Sequence, residues 1–125
     1  MARVFMTNLS TVAFAAGPFI VLGRFSKRLP VAEVNAIVAH EQGHIHHHHT
    51  LRRIWWILSF QWRGIGMRCR EQELEADLFA AAAGHCGGLV RFVKRLGPHN
   101  SPLHPTSGDR IVNIQQWIGD KLNVL

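Results

Sequence analysis

Val34-Asn-Ala-Ile-Val-Ala-His40-Glu41-Gln42-Gly43-His44 is the stretch that decides the reading of this chain. The run reads as helix, and residues four apart on a helix lie on one face. His40 and His44 therefore present two imidazoles to one point, with Glu41 beside them. This is the spacing of a zinc hydrolase. Zinc takes nitrogen, sulfur or oxygen ligands in a tetrahedron, and a catalytic site reserves one position for water, so a third protein ligand must come from elsewhere in the chain.

Toward the C-terminus, Cys69-Arg-Glu-Gln-Glu73-Leu-Glu-Ala-Asp77-Leu-Phe-Ala-Ala-Ala-Ala-Gly84 has strong helix propensity and a glycine stop. Glu73 and Asp77 share a face of it. One carboxylate can close the zinc shell while the other accepts the spare N–H of a ligating histidine and fixes its tautomer. An isolated acidic cluster is usually a solvated helix face. Beside H-E-x-x-H, in a chain with only eight acidic residues, the ligand reading prevails. The run His46-His47-His48-His49 is read as continuing the helix of His40 and His44. Eight residues of helix rise about 12 Å, too far for His40 and His48 to share an ion about 2 Å from each nitrogen. The run is read as a partly solvated polar helix end, with a second metal site as the other option.

A third island is His104-Pro105-Thr-Ser-Gly-Asp-Arg110. The order H-E-x-x-H, then R-x-x-E-x-x-x-D, then H-P-x-x-x-x-R resembles the gluzincin metallopeptidases, which include the HtpX heat-shock protease, the CAAX prenyl protease and the soluble minigluzincins. Upstream, Val12-Ala13-Phe14-Ala15-Ala16-Gly17-Pro18-Phe19-Ile20-Val21-Leu22 is similar to that family's N-A-F-A hairpin and edge strand. The resemblance runs from about Thr11 to about Leu122. It implies one Zn2+ held by His40, His44 and Glu73, Glu41 as general base and acid, and Asp77 as the partner of His40. It further implies that His104 steadies the oxyanion and that Arg110 supports the site. Substrate would lie as an added β-strand along Phe19, Ile20, Val21 and Leu22, taken as the edge strand. Cys69 stands where the family usually has serine, which leaves the ligand set untouched.

Composition fits a single catalytic domain over 1–125. The chain is 47% hydrophobic, enough for one core without staples, and its two cysteines, Cys69 and Cys86, read as free thiols. The apolar residues of Met1 to Gly23 are interrupted by Gly17-Pro18, so neither a secretory signal nor a membrane span is expected, and the expected location is the cytoplasm. Arg52-Arg-Ile-Trp-Trp-Ile-Leu-Ser-Phe-Gln-Trp62 has two readings: an apolar face packed on the domain, or a peripheral membrane contact through Trp55, Trp56 and Trp62. A formal net charge of +6 suits an anionic partner. The basic residues are scattered outside any nucleic-acid motif, so nucleic acid is not the expected partner.

The expected fold is α+β and zincin-like. Thr7 to Gly23 reads as strand with a Gly17-Pro18 turn, Ser26 to Pro30 as a linker, and helices follow over the His40 segment and over about Thr50–Gln61. Gly64-Ile-Gly66 breaks the chain before the Glu73 helix, Gly87-Gly88 separates that helix from Leu89–Leu96, and Gly97–Pro102 is a loop before a last helix ending near Lys121. The expected activity is zinc-dependent hydrolysis of peptide bonds in a peptide or protein substrate. Two alternatives stand beside it: a zinc-stabilised binding module without activity, which would leave Glu41 idle, and a DNA-associated SprT-like protease, which would take a third histidine such as His85 as ligand. A peptide deformylase is set aside because no cysteine precedes His40.

Overall fold

Gly17, with φ +58°, closes the tight turn between β2 (Ala13–Ala16) and β3 (Phe19–Leu22), a backbone angle that glycine adopts without a Cβ penalty. In the computed structural model, which describes residues 3–98 and 101–124, a further strand precedes this hairpin, β1 (Arg3–Met6). The sheet order is β1-β3-β2. β1 runs parallel to β3, and β2 pairs antiparallel with it, Ala13 opposite Leu22 and Ala16 opposite Phe19. The β region therefore begins before Thr7. β3 is the central strand, paired on both sides, with Ile20 and Leu22 buried, so the edge-strand assignment of Phe19, Ile20, Val21 and Leu22 is corrected. Both rows of their backbone groups are already used, and the strand with a side open toward the helices is β2.

Five α-helices follow: α1 (Val31–His46), α2 (His49–Leu58), α3 (Ile65–Ala80), α4 (Cys86–Leu96) and α5 (Ser107–Val124). Pro30 precedes α1, where its fixed φ suits a helix start. The histidine run does not continue this helix. α1 ends at His46, and His48 takes the left-handed conformation (φ 54°, ψ 36°) that starts α2 in a new direction. A π-turn over Ala81–His85, with Gly84 at φ 95°, joins α3 to α4. Gly87 and Gly88 lie inside α4 rather than before it. α5 begins at Ser107, a turn after the expected His104-Pro105 start. Positions 99 and 100 of the expected Gly97–Pro102 loop lie outside the described residues.

The helices pack through small residues. Ala36 and Ala39 of α1 meet Ala80, Leu89, Val93 and Ile114 in the core. A Cβ built on Gly43 would stand 2.9 Å from both Ala76 Cα and Phe79 Cβ, so α1 and α3 approach closely only because that Cβ is absent. At the other end of α1, buried Glu33 receives both forks of Arg95 from α4, at 2.9 and 2.8 Å. That hydrogen bond, set against the cost of burial, holds the Glu33 carboxyl below its usual range. α1 is thus clamped between α3 and α4, and its middle carries His40, Glu41 and His44.

Candidate metal centre

The close approach at Gly43 brings the facing sides of α1 and α3 into contact. His40 Nε2 lies 3.1 Å from His44 Nε2 and 3.1 Å from Glu73 Oε2, and His44 Nε2 lies 3.3 Å from Glu73 Oε1. All three side chains are buried. Atoms about 2.0–2.1 Å from a single tetrahedral ion stand roughly 3.3 Å apart, so the spacing of this triad fits a zinc ion. The donor set, two imidazoles and a carboxylate, suits the same metal. The three side chains form a buried cluster able to hold a metal ion.

Each ligand is oriented by a neighbour. His40 Nδ1 lies 2.7 Å from Asp77 Oδ1, so the ring donates there and leaves Nε2 for the triad. Asp77 is fully buried, and Arg110 of α5 donates to both its oxygens through Nε and Nη2, at 2.8 and 2.7 Å. Burial opposes the charge on Asp77, but the hydrogen bonds from Arg110 and His40 outweigh it and hold the carboxyl below its usual range. Arg110 therefore acts as the fork that holds Asp77 against His40. Burial likewise opposes charge on His40, yet hydrogen bonds to Asp77 and Glu73 raise it to about 10. A metal that takes His40 Nε2 must displace that proton. Glu73 is held well below the carboxylate range: hydrogen bonds from His40 and His44 overcome its desolvation.

Two neighbours are not legible from the sequence. Arg53 of α2 donates from Nη2 to Glu73 Oε1 at 3.2 Å and from Nε to Gln72 Oε1 at 2.6 Å. His49, almost fully buried, places Nδ1 2.8 Å from His44 Nδ1 and Nε2 3.0 Å from Glu75 Oε2. On an unbroken helix a residue five beyond His44 points away from it, so only the break at His47 and His48 makes this contact. Desolvation on burial lowers the His49 ring to about 4 and keeps it neutral near pH 7.

A cavity of about 370 Å³ opens on one side of the triad, walled by Val12, by Ala13 at the start of β2, by Glu41 and His104, and by the apolar Ile37, Leu89, Phe92 and Leu96. A second, of about 190 Å³, lies on the His44 side and is bounded by Ala13, Phe14 and Ala15 with His49, Thr50 and Arg53. Both include Glu41, Glu73 and His104, so they meet at the triad. His104 Nδ1 is 3.9 Å from Glu73 Oε1, and its side chain is half exposed. Phe19, Ile20, Val21 and Leu22 are not among the residues that line either cavity; β2 takes that place. Trp55 and Trp62 are exposed on or just after α2, together with Leu51, Ile54, Ile57, Leu58 and Phe60, while Trp56 lies beneath the Arg68 guanidinium at 5.2 Å. The apolar face of α2 is therefore not packed on the domain. Among the described residues no helix is long and apolar enough to cross a membrane. No protein-family model, curated protein or solved structure matches this chain, so its own residues carry the functional reading.

Proposed function

We propose that the chain is a zinc-dependent endopeptidase of the gluzincin type. The observation that carries this reading is the convergence of His40 Nε2, His44 Nε2 and Glu73 at tetrahedral spacing, with Glu41 on the wall of an adjoining cavity. A zinc ion held there would supply a Lewis acid and a water acidified to near neutrality. Glu41 takes the water's proton and returns it to the leaving amine. His104 donates to the oxyanion, a contribution of about 3–4 kcal/mol for a donor of this kind. Asp77 and Arg110 hold His40 in the tautomer that leaves Nε2 bare. An extended peptide pairs with β2, the strand that lines both cavities, and an apolar side chain fills the larger one against Leu89 and Phe92.

The group that converges contains Glu73 rather than His85, which disfavours the SprT-like alternative. For α2 we propose an anionic lipid surface as partner: exposed Trp55 and Trp62 supply amphipathic rings, and Arg52 and Arg63 flank them.

Metal analysis and a peptide-library cleavage assay test the peptidase reading together. Wild type should hold about one zinc per chain, and Glu73→Ala combined with His47→Ala, which removes a nearby imidazole able to take the ion, should hold none. Glu41→Gln should keep zinc while cleavage falls by roughly 10²–10⁴-fold, because an amide accepts no proton. His104→Ala should lower kcat by roughly 10²–10³-fold with zinc and KM nearly unchanged. A Glu41→Gln variant as active as wild type sinks the mechanism. Zinc-loaded wild type that cleaves nothing passes the reading to the binding module.

A further inference from the structure

His47 and Glu75 have no role in the centre described above, His49 meets it only through Nδ1 against His44, and the ligand atoms of these three residues gather within 4.8 Å of one another. We propose that these three side chains form a second site for a borderline transition-metal cation such as Zn2+, and that filling it opposes filling of the His40-His44-Glu73 centre. His49 Nε2 is 3.0 Å and His47 Nδ1 3.9 Å from the same oxygen, Glu75 Oε2. The two rings stack with centroids 5.3 Å apart and 16° between planes. Residues two apart on a helix do not face each other, so the site exists because His48 turns left-handed between them. His49 is fixed by burial, whereas the side chains of His47 and Glu75 are 36% and 46% exposed, which opens the site to an ion and to water. Only His47 must draw in for the spacing to reach the roughly 3.3 Å of ligands around one tetrahedral ion. Two imidazoles and one carboxylate select zinc, copper or nickel over calcium or magnesium.

The opposition follows from hydrogen counting. His44 Nδ1 and His49 Nδ1 face each other at 2.8 Å, so one must donate and the other accept. An ion on His44 Nε2 leaves that ring's hydrogen on Nδ1, which donates to His49. The hydrogen of His49 then sits on Nε2 and points to Glu75, and the second site is closed. An ion on His49 Nε2 reverses the pair and leaves His44 with its hydrogen on Nε2, where the first centre needs a lone pair. Neutral imidazoles cannot serve both ions at once. This coupling rests on the first-centre reading; the second site does not.

Calorimetric titration with Zn2+ alone separates these statements, with circular dichroism confirming that each variant is folded. Glu73→Gln, which disables the first centre, should still bind one ion. Adding either His47→Ala or Glu75→Gln should weaken that binding at least tenfold, whereas adding His46→Ala should leave it unchanged. Wild type should take its second ion at least tenfold more weakly than Glu73→Gln takes its single one, the coupling being the same from either side. Equal affinities for Glu73→Gln with and without His47→Ala and Glu75→Gln overturn the site. A second wild-type ion bound as tightly as the single ion of Glu73→Gln overturns the opposition. Were the first-centre reading itself at fault, wild type would show one event, abolished by His47→Ala and indifferent to Glu73→Gln.

Discussion

Asp77 accepts hydrogen bonds from His40 and from both arms of Arg110, so its charge is fully used and its geometry fixed. Partners of this kind typically govern metal affinity by 10–100-fold. Asp77→Asn should therefore weaken zinc binding by roughly that factor in a competitive chelator titration. Arg110→Lys should weaken it by less, since lysine cannot fork but keeps the charge. Unchanged affinity in both variants would remove the pair from the site. At this scale the sequence is most legible where spacing is local. His40, Glu41 and His44 sit on one helix, Glu73 and Asp77 on another, and helical periodicity alone puts each set on one face. Arg110 is visible as a position in a motif, but its target is not, because 33 residues separate it from Asp77. His49 stays hidden behind a left-handed residue that no pattern in four consecutive histidines announces.

Helix α1 meets α3 at Gly43 and α4 at Gly88, where a Cβ would come within 2.3 Å of Ala32 O. An alanine gains roughly 1 kcal/mol of helix propensity over glycine. Forcing backbone apart in a packed interface costs about 1–3 kcal/mol, so the steric term wins at both positions. Gly43→Ala should lower Tm and also weaken zinc binding, because it moves the two helices that bear the ligands. Gly88→Ala should lower Tm with a smaller effect on zinc. Equal zinc affinity in Gly43→Ala and wild type would show that α1 and α3 are not set apart by that contact. The lipid proposal belongs to α2. Wild type should float with anionic vesicles and not with neutral ones, and Trp55→Ser with Trp62→Ser should abolish flotation, salt weakening it as well. Flotation unaffected by the two substitutions would end the proposal. Element types were largely readable, since Val/Phe/Ile-rich runs and Ala/Leu/Glu-rich runs state their period. Strand order was not, because β1 enters parallel to β3 across the sheet from β2, a pairing that no local pattern encodes.

The interior of the molecule is polar around the centre. His40, Glu41, His44, His49, Gln72, Glu73 and Asp77 are all buried, and much of the apolar core beside them is alanine. Their pairing stands between two halves of the chain. His40, His44 and His49 precede the exposed connection 59–64, and Glu73, Glu75, Asp77 and Arg110 follow it. Every hydrogen bond that organises the centre, apart from those among the three histidines and from Arg110 to Asp77, crosses from one half to the other. Exposed connections are where chains tolerate a cut. Fragments 1–60 and 64–125, produced separately, should therefore reassemble when mixed with zinc and part again when a chelator removes it, as followed by size-exclusion chromatography or by reporters fused at the cut. Reassembly indifferent to zinc would mean that packing of α1 against α3 and α4 suffices. An ion held by the triad would, in the severed chain, become the rivet of a two-piece assembly, a metal-gated complementation pair built without adding a residue.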